Sequence, residues 1–125
     1  RPEFSALCAV CIRVRGMALP RGFCERLGFV WAWSAAVPEP GSAMTHPCGL
    51  DLNFILNASD AEALNILMDV HEKHAGITHI ALQIKDVAAT KAALTAAGIT
   101  VSGTRGTAAL FVRDPDGNVI ELAAD

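Results

Sequence analysis

The stretch Arg113 to Leu122, "RDPDGNVIEL", decides how the chain is read. Pro115 presets φ for the second position of a tight turn, and Gly117 or Asn118 can take the positive φ that closes it. The turn joins two extended runs, Thr107 to Arg113 and Asn118 to Ala123, into a hairpin. Side chains alternate along a strand, so Ile120 and Leu122 point one way while Val119 and Glu121 point the other. A carboxylate in the middle of a short apolar strand normally faces solvent. The rest of the chain suggests a different reason for it.

Outward from the hairpin, Ile77 to Lys85 alternates as a strand. Asp86 then caps a helix running through Ala97, and Gly98 ends it. Ile99 to Ser102 is a further short strand. In the first half, Ala6 to Val14 alternates as a strand, and Met17 to Leu27 makes a short helix stopped by Gly28. Phe29 to Ala35 and Leu50 to Leu56 are strands separated by a Pro/Gly-rich loop near "VPEPGS". Between the halves, Ser59 and Glu62 form a capping box for a helix with Leu64, Leu67 and Met68 on its apolar face. That helix reaches Ala75, and Gly76 ends it.

With an offset of 70 the second half lies over the first without a gap. Val10, Ile12 and Val14 fall on Ile80, Leu82 and Ile84, and Leu27-Gly28-Phe29 on Ala97-Gly98-Ile99. Leu50-Asp51-Leu52 falls on Ile120-Glu121-Leu122, so a carboxylate recurs in both halves. The predicted class is α+β, with two tandem βαβββ modules forming a curved mixed sheet around a cup. Residues 1–58 form the first module, 59–76 a helical linker and 77–125 the second, together one domain. The opening "RPEF", which begins without Met, is set aside from the fold as an expected vector-derived extension.

Residues out of phase with the core positions would line the cup. Arg13, Asp51, Asn53, His79, Gln83 and Glu121 converge there, as a ligand site requires. Trp31 and Trp33, two residues apart, are expected to share one strand face and to offer indole surfaces for stacking. Other signals weaken on inspection. In "HEKH", His71 and His74 have the wrong spacing for a zinc-protease helix and read as a solvated helix end. His46 reads as a loop residue. Arg105, between Gly103 and Gly106 in "SGTRGT", lacks the Lys-Ser/Thr and following helix of a phosphate loop.

At 125 residues, 52% hydrophobic and 18% charged, the chain can bury a sizeable core. No apolar run approaches the roughly 18 residues that would span a bilayer. The net charge of −3, with its basic residues scattered, argues against nucleic acid or an anionic membrane as partner. Cys8, Cys11, Cys24 and Cys48 are spread along the chain, and no secretory leader is recognisable. They are expected to be free thiols in a reducing cytoplasm. Cys8 and Cys11 lie three apart on a strand, hence on opposite faces, which does not suit joint chelation.

The chain resembles the vicinal oxygen chelate superfamily of glyoxalases, bleomycin-resistance proteins, extradiol dioxygenases and fosfomycin-resistance enzymes. The resemblance rests on "ITHIALQIKDVAATKAALTAAGI" and "LFVRDPDGNVIEL", with weaker support from "CERLGFVW" and "GLDLNFIL". It implies metal-ligand positions at Ala9, Asp51, His79 and Glu121. Ala9 cannot coordinate, which counts against the dioxygenase and fosfomycin-resistance patterns, since both need an imidazole there. Asp51 is one methylene shorter than the Glu usual in glyoxalase-like members.

By resemblance, Asp51, His79 and Glu121 would hold a divalent metal such as Zn, Ni, Mn or Fe. Glu121 or Asp51 would serve as general base in a metal-dependent lyase or isomerase of the glyoxalase type. The alternative is a metal-free protein sequestering a small drug-like or aromatic molecule, with Arg13, Trp31, Trp33, Asn53 and Gln83 as ligand-binding residues. A third reading is a paralogue that keeps the fold without activity. A small-molecule partner and a homodimer are expected in either functional case.

Overall fold

The computed structural model describes residues 1–36, 40–59 and 64–125. Two compact units divide the chain, Arg1–Asp60 and Ala61–Asp125. The first contains β1 (Val10–Arg13), α1 (Ala18–Arg26), β2 (Val30–Ala35), β3 (Gly41–Thr45) and β4 (Asp51–Ile55). The second contains β5 (Ile80–Gln83), α2 (Val87–Ala96), β6 (Gly103–Arg105), β7 (Ala109–Arg113) and β8 (Val119–Ala123). The strand orders are β1-β4-β3-β2 and β5-β8-β7-β6. Within each sheet one pair is parallel, β1 with β4 and β5 with β8, and the others are antiparallel. The α+β class and the two tandem βαβββ modules predicted from sequence are therefore present.

Both helices end as their glycines dictate. Gly28 and Gly98 take φ of +94° and +73°, the left-handed conformation that closes a helix without a Cβ penalty. The next residues, Phe29 and Ile99, return their N–H groups to the carbonyls of Cys24 and Leu94. Cys24, Leu94, Phe29 and Ile99 are all buried. The helix starts differ. Asp86 accepts a hydrogen bond from the Ala89 N–H at 2.8 Å, whereas Met17 offers α1 no side-chain cap.

Each sheet buries apolar residues on its helix side. In the first unit these include Leu52, Phe54 and Met44, and in the second Leu110, Val112 and Leu122. Parts of the other face, Ala43 in the first unit and Ala109, Val119 and Ala123 in the second, are buried as well. The Arg21 guanidinium of α1 lies 4.3 Å from the Trp31 ring centroid, so Trp31 and its β3 partner Met44 are on the helix side of the sheet. The face away from the helix is called the distal face below.

Three local expectations are revised. Gly41–Thr45, expected in part to continue the "VPEPGS" loop, is β3, held between β2 and β4 by ladders on both sides. The strand expected at Ile99 to Ser102 begins instead at Gly103, which pairs with Phe111. The helical linker is also absent among the described residues 64–76, while Glu62 of its capping box lies outside them. The Asn65 N–H donates to Asp116 O at 2.8 Å and its side-chain amide to Asn118 Oδ1 at 2.7 Å. Its Oδ1 accepts from the Leu67 N–H, and the Arg113 guanidinium grips both Asp69 carboxylate oxygens at 2.8 and 2.9 Å. These bonds hold the segment against the Asp114–Asn118 turn and replace the helical ladder. The apolar residues meant for a helix face, Leu64, Leu67 and Met68, are exposed.

The offset also changes along the chain. Val10 pairs with Leu52, but Ile80 pairs with Ile120, so β4 and β8 correspond at an offset of 68 rather than 70. The β2–β3 connection, from Ala35 to Gly41, is two residues longer than the β6–β7 connection from Arg105 to Ala109. Past it, "HPCGL" (His46 to Leu50) lies over "DPDGN" (Asp114 to Asn118). Both turns close alike, Gly49 N–H to His46 O at 2.9 Å and Gly117 N–H to Asp114 O at 3.0 Å. In both, the first side chain accepts from the backbone two residues on, at His46 Nδ1 from Cys48 and at Asp114 Oδ1 from Asp116.

Candidate functional site

On the distal face of the second sheet, residues directly opposite one another form a row from Ala81 through Glu121 and Phe111 to Gly103. His79 sits just before β5, and its Nε2 lies 2.9 Å from Glu121 Oε1. An ionised carboxylate only accepts, so Nε2 carries the proton. In the neutral imidazole, Nδ1 then accepts from the Thr78 hydroxyl at 2.8 Å. The His79 ring meets Phe111 edge-on at 6.0 Å.

The second Glu121 oxygen is taken as well. Arg105 donates to Oε2 through Nε at 3.1 Å and through one terminal nitrogen at 2.9 Å. The other edge of the same guanidinium grips Asp125 at 2.8 and 2.9 Å. Glu121 is not solvent-facing; its side chain is only 12% exposed, against 48% for Arg105 and 57% for Asp125. The His79 hydrogen bond, followed by the Arg105 pair, holds the Glu121 carboxyl below its ordinary range. Asp125 is lowered by Arg105, and Arg105 is raised chiefly by Asp125 and then by Glu121.

The sequence reading thus brings together His79 and Glu121, with Gln83 exposed further along the same face. Arg105, Asp125, Thr78 and Phe111 were missed as site residues. Arg105 was set aside for lacking a phosphate-loop signature, yet a three-residue connection from Arg105 to Ala109 puts it in phase with Phe111 and Glu121. Continuing the hairpin register one strand back would have found it.

The first sheet presents a different row in the same position: Cys11, Asn53, Ala43 and Trp33. Cys11 pairs with Asn53 as Ala81 pairs with Glu121, so the counterpart of Glu121 is Asn53 and not Asp51. The gapless offset misplaced the carboxylate, because strand pairing sets the register and the β2–β3 connection is longer. Asp51 is half-buried opposite Thr45. The Arg13 Nε donates to Asn57 Oδ1 at 2.8 Å.

The two indoles do not share a face. The β2–β3 register shifts between Trp31 and Trp33, which pair with Met44 and Ala43. The extra residue, Ala32, makes a β-bulge that sends Trp31 to the helix side and Trp33 to the distal face. Trp33 is half exposed.

The donor set does not fit the metal centre that the resemblance implied. The first unit's counterparts of His79 and Glu121 are Ala9 and Asn53, a methyl group and a neutral amide. In the second unit a guanidinium already neutralises the carboxylate. Among the described residues no three His, Cys, Asp or Glu side chains gather as a ligand set.

Two βαβββ units, each with a mixed sheet and one helix, define a glyoxalase-like fold. The profile of the Glyoxalase/Bleomycin resistance protein/Dioxygenase superfamily matches residues 21–122, and the chain belongs to that superfamily. A glyoxalase family protein from Enterococcus faecalis superposes with a TM-score of 0.77 at 21% identity, over 96% of this chain and 98% of that one. SMU.1112c gives 0.74 at 23% identity, over 97% and 99%. The fosfomycin resistance protein FosX from Listeria monocytogenes gives 0.72 at 18% identity, over 98% and 92%. A Glu-to-Gln mutant of that FosX was solved in complex with Mn(II) and 1S,2S-dihydroxypropylphosphonic acid. At these identities the likeness is one of fold. No curated protein matches the chain. Among the described residues no helix is long and apolar enough to cross a membrane.

Proposed function

We propose that this chain is a metal-free small-molecule-binding member of the superfamily, closer in mode to a sequestering protein than to a metal-dependent lyase or isomerase. One observation carries the reading: Arg105 occupies Glu121, the carboxylate the resemblance assigns to a metal. A divalent cation arriving at Glu121 would meet a bound guanidinium within hydrogen-bond distance, and like charges at that range repel strongly in a partly dry site. Within the first unit the counterparts of His79 and Glu121 are Ala9 and Asn53, which repeat neither the imidazole nor the carboxylate. With its charge neutralised, Glu121 orients His79 and Arg105. These two, with Gln83, are the groups through which oxygen or nitrogen atoms of a small ligand would be held, and Phe111 provides apolar surface.

The test is a pair of measurements on the full chain. Metal content is determined after dialysis against Zn, Ni, Mn and Fe(II), and binding of a panel of small oxygenated and aromatic molecules is followed by calorimetry before and after chelator treatment. The expected result is substoichiometric metal and affinities unchanged by chelation. One metal per chain, lost in His79→Ala, would overturn the proposal and restore the lyase or isomerase reading.

A further inference from the structure

The two edges of the Arg105 guanidinium are not equivalent. Its Nε edge is committed to Glu121, a buried partner on the central strand β8, which also holds His79. Its outer edge, formed by both terminal nitrogens, meets Asp125 alone among the described residues, and both of those side chains are about half exposed. The Ala124 N–H donates to Ala108 O at 2.9 Å, which carries the β7–β8 ladder far enough to bring Asp125 alongside Arg105. The outer edge is thus a planar two-donor fork, presented toward solvent and filled by a carboxylate of the chain itself.

We propose that this outer edge of Arg105 is a carboxylate-binding subsite, and that Asp125 is an internal stand-in which a ligand carboxylate displaces. The inference rests on the small-molecule-binding reading and names the chemical class of its ligand. An exposed ion pair contributes little net stability, so exchanging Asp125 for a ligand carboxylate has a low barrier to overcome. The fork matches two coplanar carboxylate oxygens, which is the arrangement Asp125 already shows. Charge favours a monoanion. Arg105 faces two carboxylates, and replacing Asp125 by another single charge preserves the balance beside Glu121. A doubly charged phosphate would add repulsion against Glu121.

Benzoate is the probe, and benzamide is its neutral isostere. Both are titrated into metal-stripped full-length protein by calorimetry, with the Arg105 Nε–H resonance followed by NMR. Wild type should prefer benzoate to benzamide, and saturation with benzoate should shift the Arg105 resonance. Asp125→Asn removes the competing charge and should tighten benzoate roughly two- to fivefold while leaving benzamide unchanged. Arg105→Gln should abolish the preference, and Arg105→Lys, which keeps the charge and loses the fork, should reduce it. Circular dichroism of the lysine variant guards against misreading an unfolded glutamine variant. Equal affinity for the two probes, or an Asp125→Asn variant no tighter for benzoate, would overturn the subsite and leave the binding reading standing. Failure of both probes to bind wild type and Asp125→Asn alike would count against the subsite and the binding reading together.

Discussion

Across its distal face the first unit presents Cys11, Asn53, Ala43 and Trp33, where the second presents Ala81, Glu121, Phe111 and Gly103. The scaffolds beneath are nearly superimposable in logic: the same strand order, the same glycine helix stops, the same Pro-x-Gly turn between the last two strands. The second carries a connected polar array along that row, with His79, Glu121, Arg105 and Asp125 linked by hydrogen bonds, while the matching row of the first is Cys11, Asn53, Ala43 and Trp33. A repeated backbone therefore does not imply a repeated site. Site chemistry depends on which side chain occupies each row, and one connection two residues longer was enough to move a carboxylate off the matching position.

Four substitution pairs or conditions can break or sharpen that comparison. The largest effect is expected in the cores. Met44 and Val112 occupy corresponding positions, both fully buried. Met44→Ala should cost about 2–5 kcal/mol. Val112→Ala removes less hydrocarbon and should cost about 1.5–3 kcal/mol. Urea denaturation reads both, and a loss near zero for either variant would contradict its placement in the core.

The two turn glycines come next. Gly49 and Gly117 take φ of +97° and +85°. Alanine at Gly49 would meet no atom within 4 Å and should cost only the left-handed penalty, about 1–2 kcal/mol. Alanine at Gly117 would also place Cβ 3.0 Å from Asn65 O and 3.1 Å from Leu64 Cβ, so its cost should be distinctly larger. Equal midpoints for the two variants would mean that the Leu64–Val70 segment does not rest on the Asp114–Asn118 turn.

Helix starts give a smaller difference. Asp86→Ala removes the cap on α2 and should cost about 1 kcal/mol. Met17→Ala at the start of α1 should be close to neutral, since Met17 makes no side-chain cap. Thermal melts of the two variants provide the check.

The pH response should be the smallest effect, because Arg105 and Asp125 are half exposed and screened. Glu121 and Asp125 have folded pKa values below their unfolded ones. Their contribution is fully present above about pH 4, the unfolded carboxylate range, and is lost as pH falls through the folded values. Asp114 runs the other way. Burial raises it, so its contribution is present below about pH 4 and is lost as pH rises through its folded value. Urea midpoints at pH 6 and pH 3 should therefore show a smaller acid loss in Glu121→Gln than in wild type. An unchanged acid loss would mean that the Glu121 array adds nothing to the second unit's stability.

Much of this was legible in the amino-acid order. Alternation placed Leu122 in the core and put His79 and Glu121 on one face, although Ile120 is only half-buried and Val119, on the Glu121 side, is buried as well. Gly28 and Gly98 marked the helix ends. The pair "HPCGL" and "DPDGN" was also there to be read, with Pro47 over Pro115 and Gly49 over Gly117, and it would have exposed the change of offset. The Asp51 assignment failed because a single gapless offset ran through that change. Trp31 and Trp33 were placed on one face because nothing local to "FVWAWS" announces a bulge.

By itself the sequence determined part of the local conformation: the starts and glycine stops of α1 and α2 and the closing of the Asp114–Asn118 turn. These follow from φ/ψ preference, capping and hydrophobic period, and all act over a few residues. It did not determine the linker segment, where a capping signal and apolar spacing did not produce a helix among residues 64–76. Only the tertiary structure decided that Asn53 answers Glu121, that Ala32 bulges out of β2, that Asn65 and Asp69 dock on the Asp114–Asn118 turn, and that Arg105 closes over Glu121. Each depends on hydrogen bonds and ion pairs between strands or segments distant in the chain, which acquire a geometry only once the backbone is assembled.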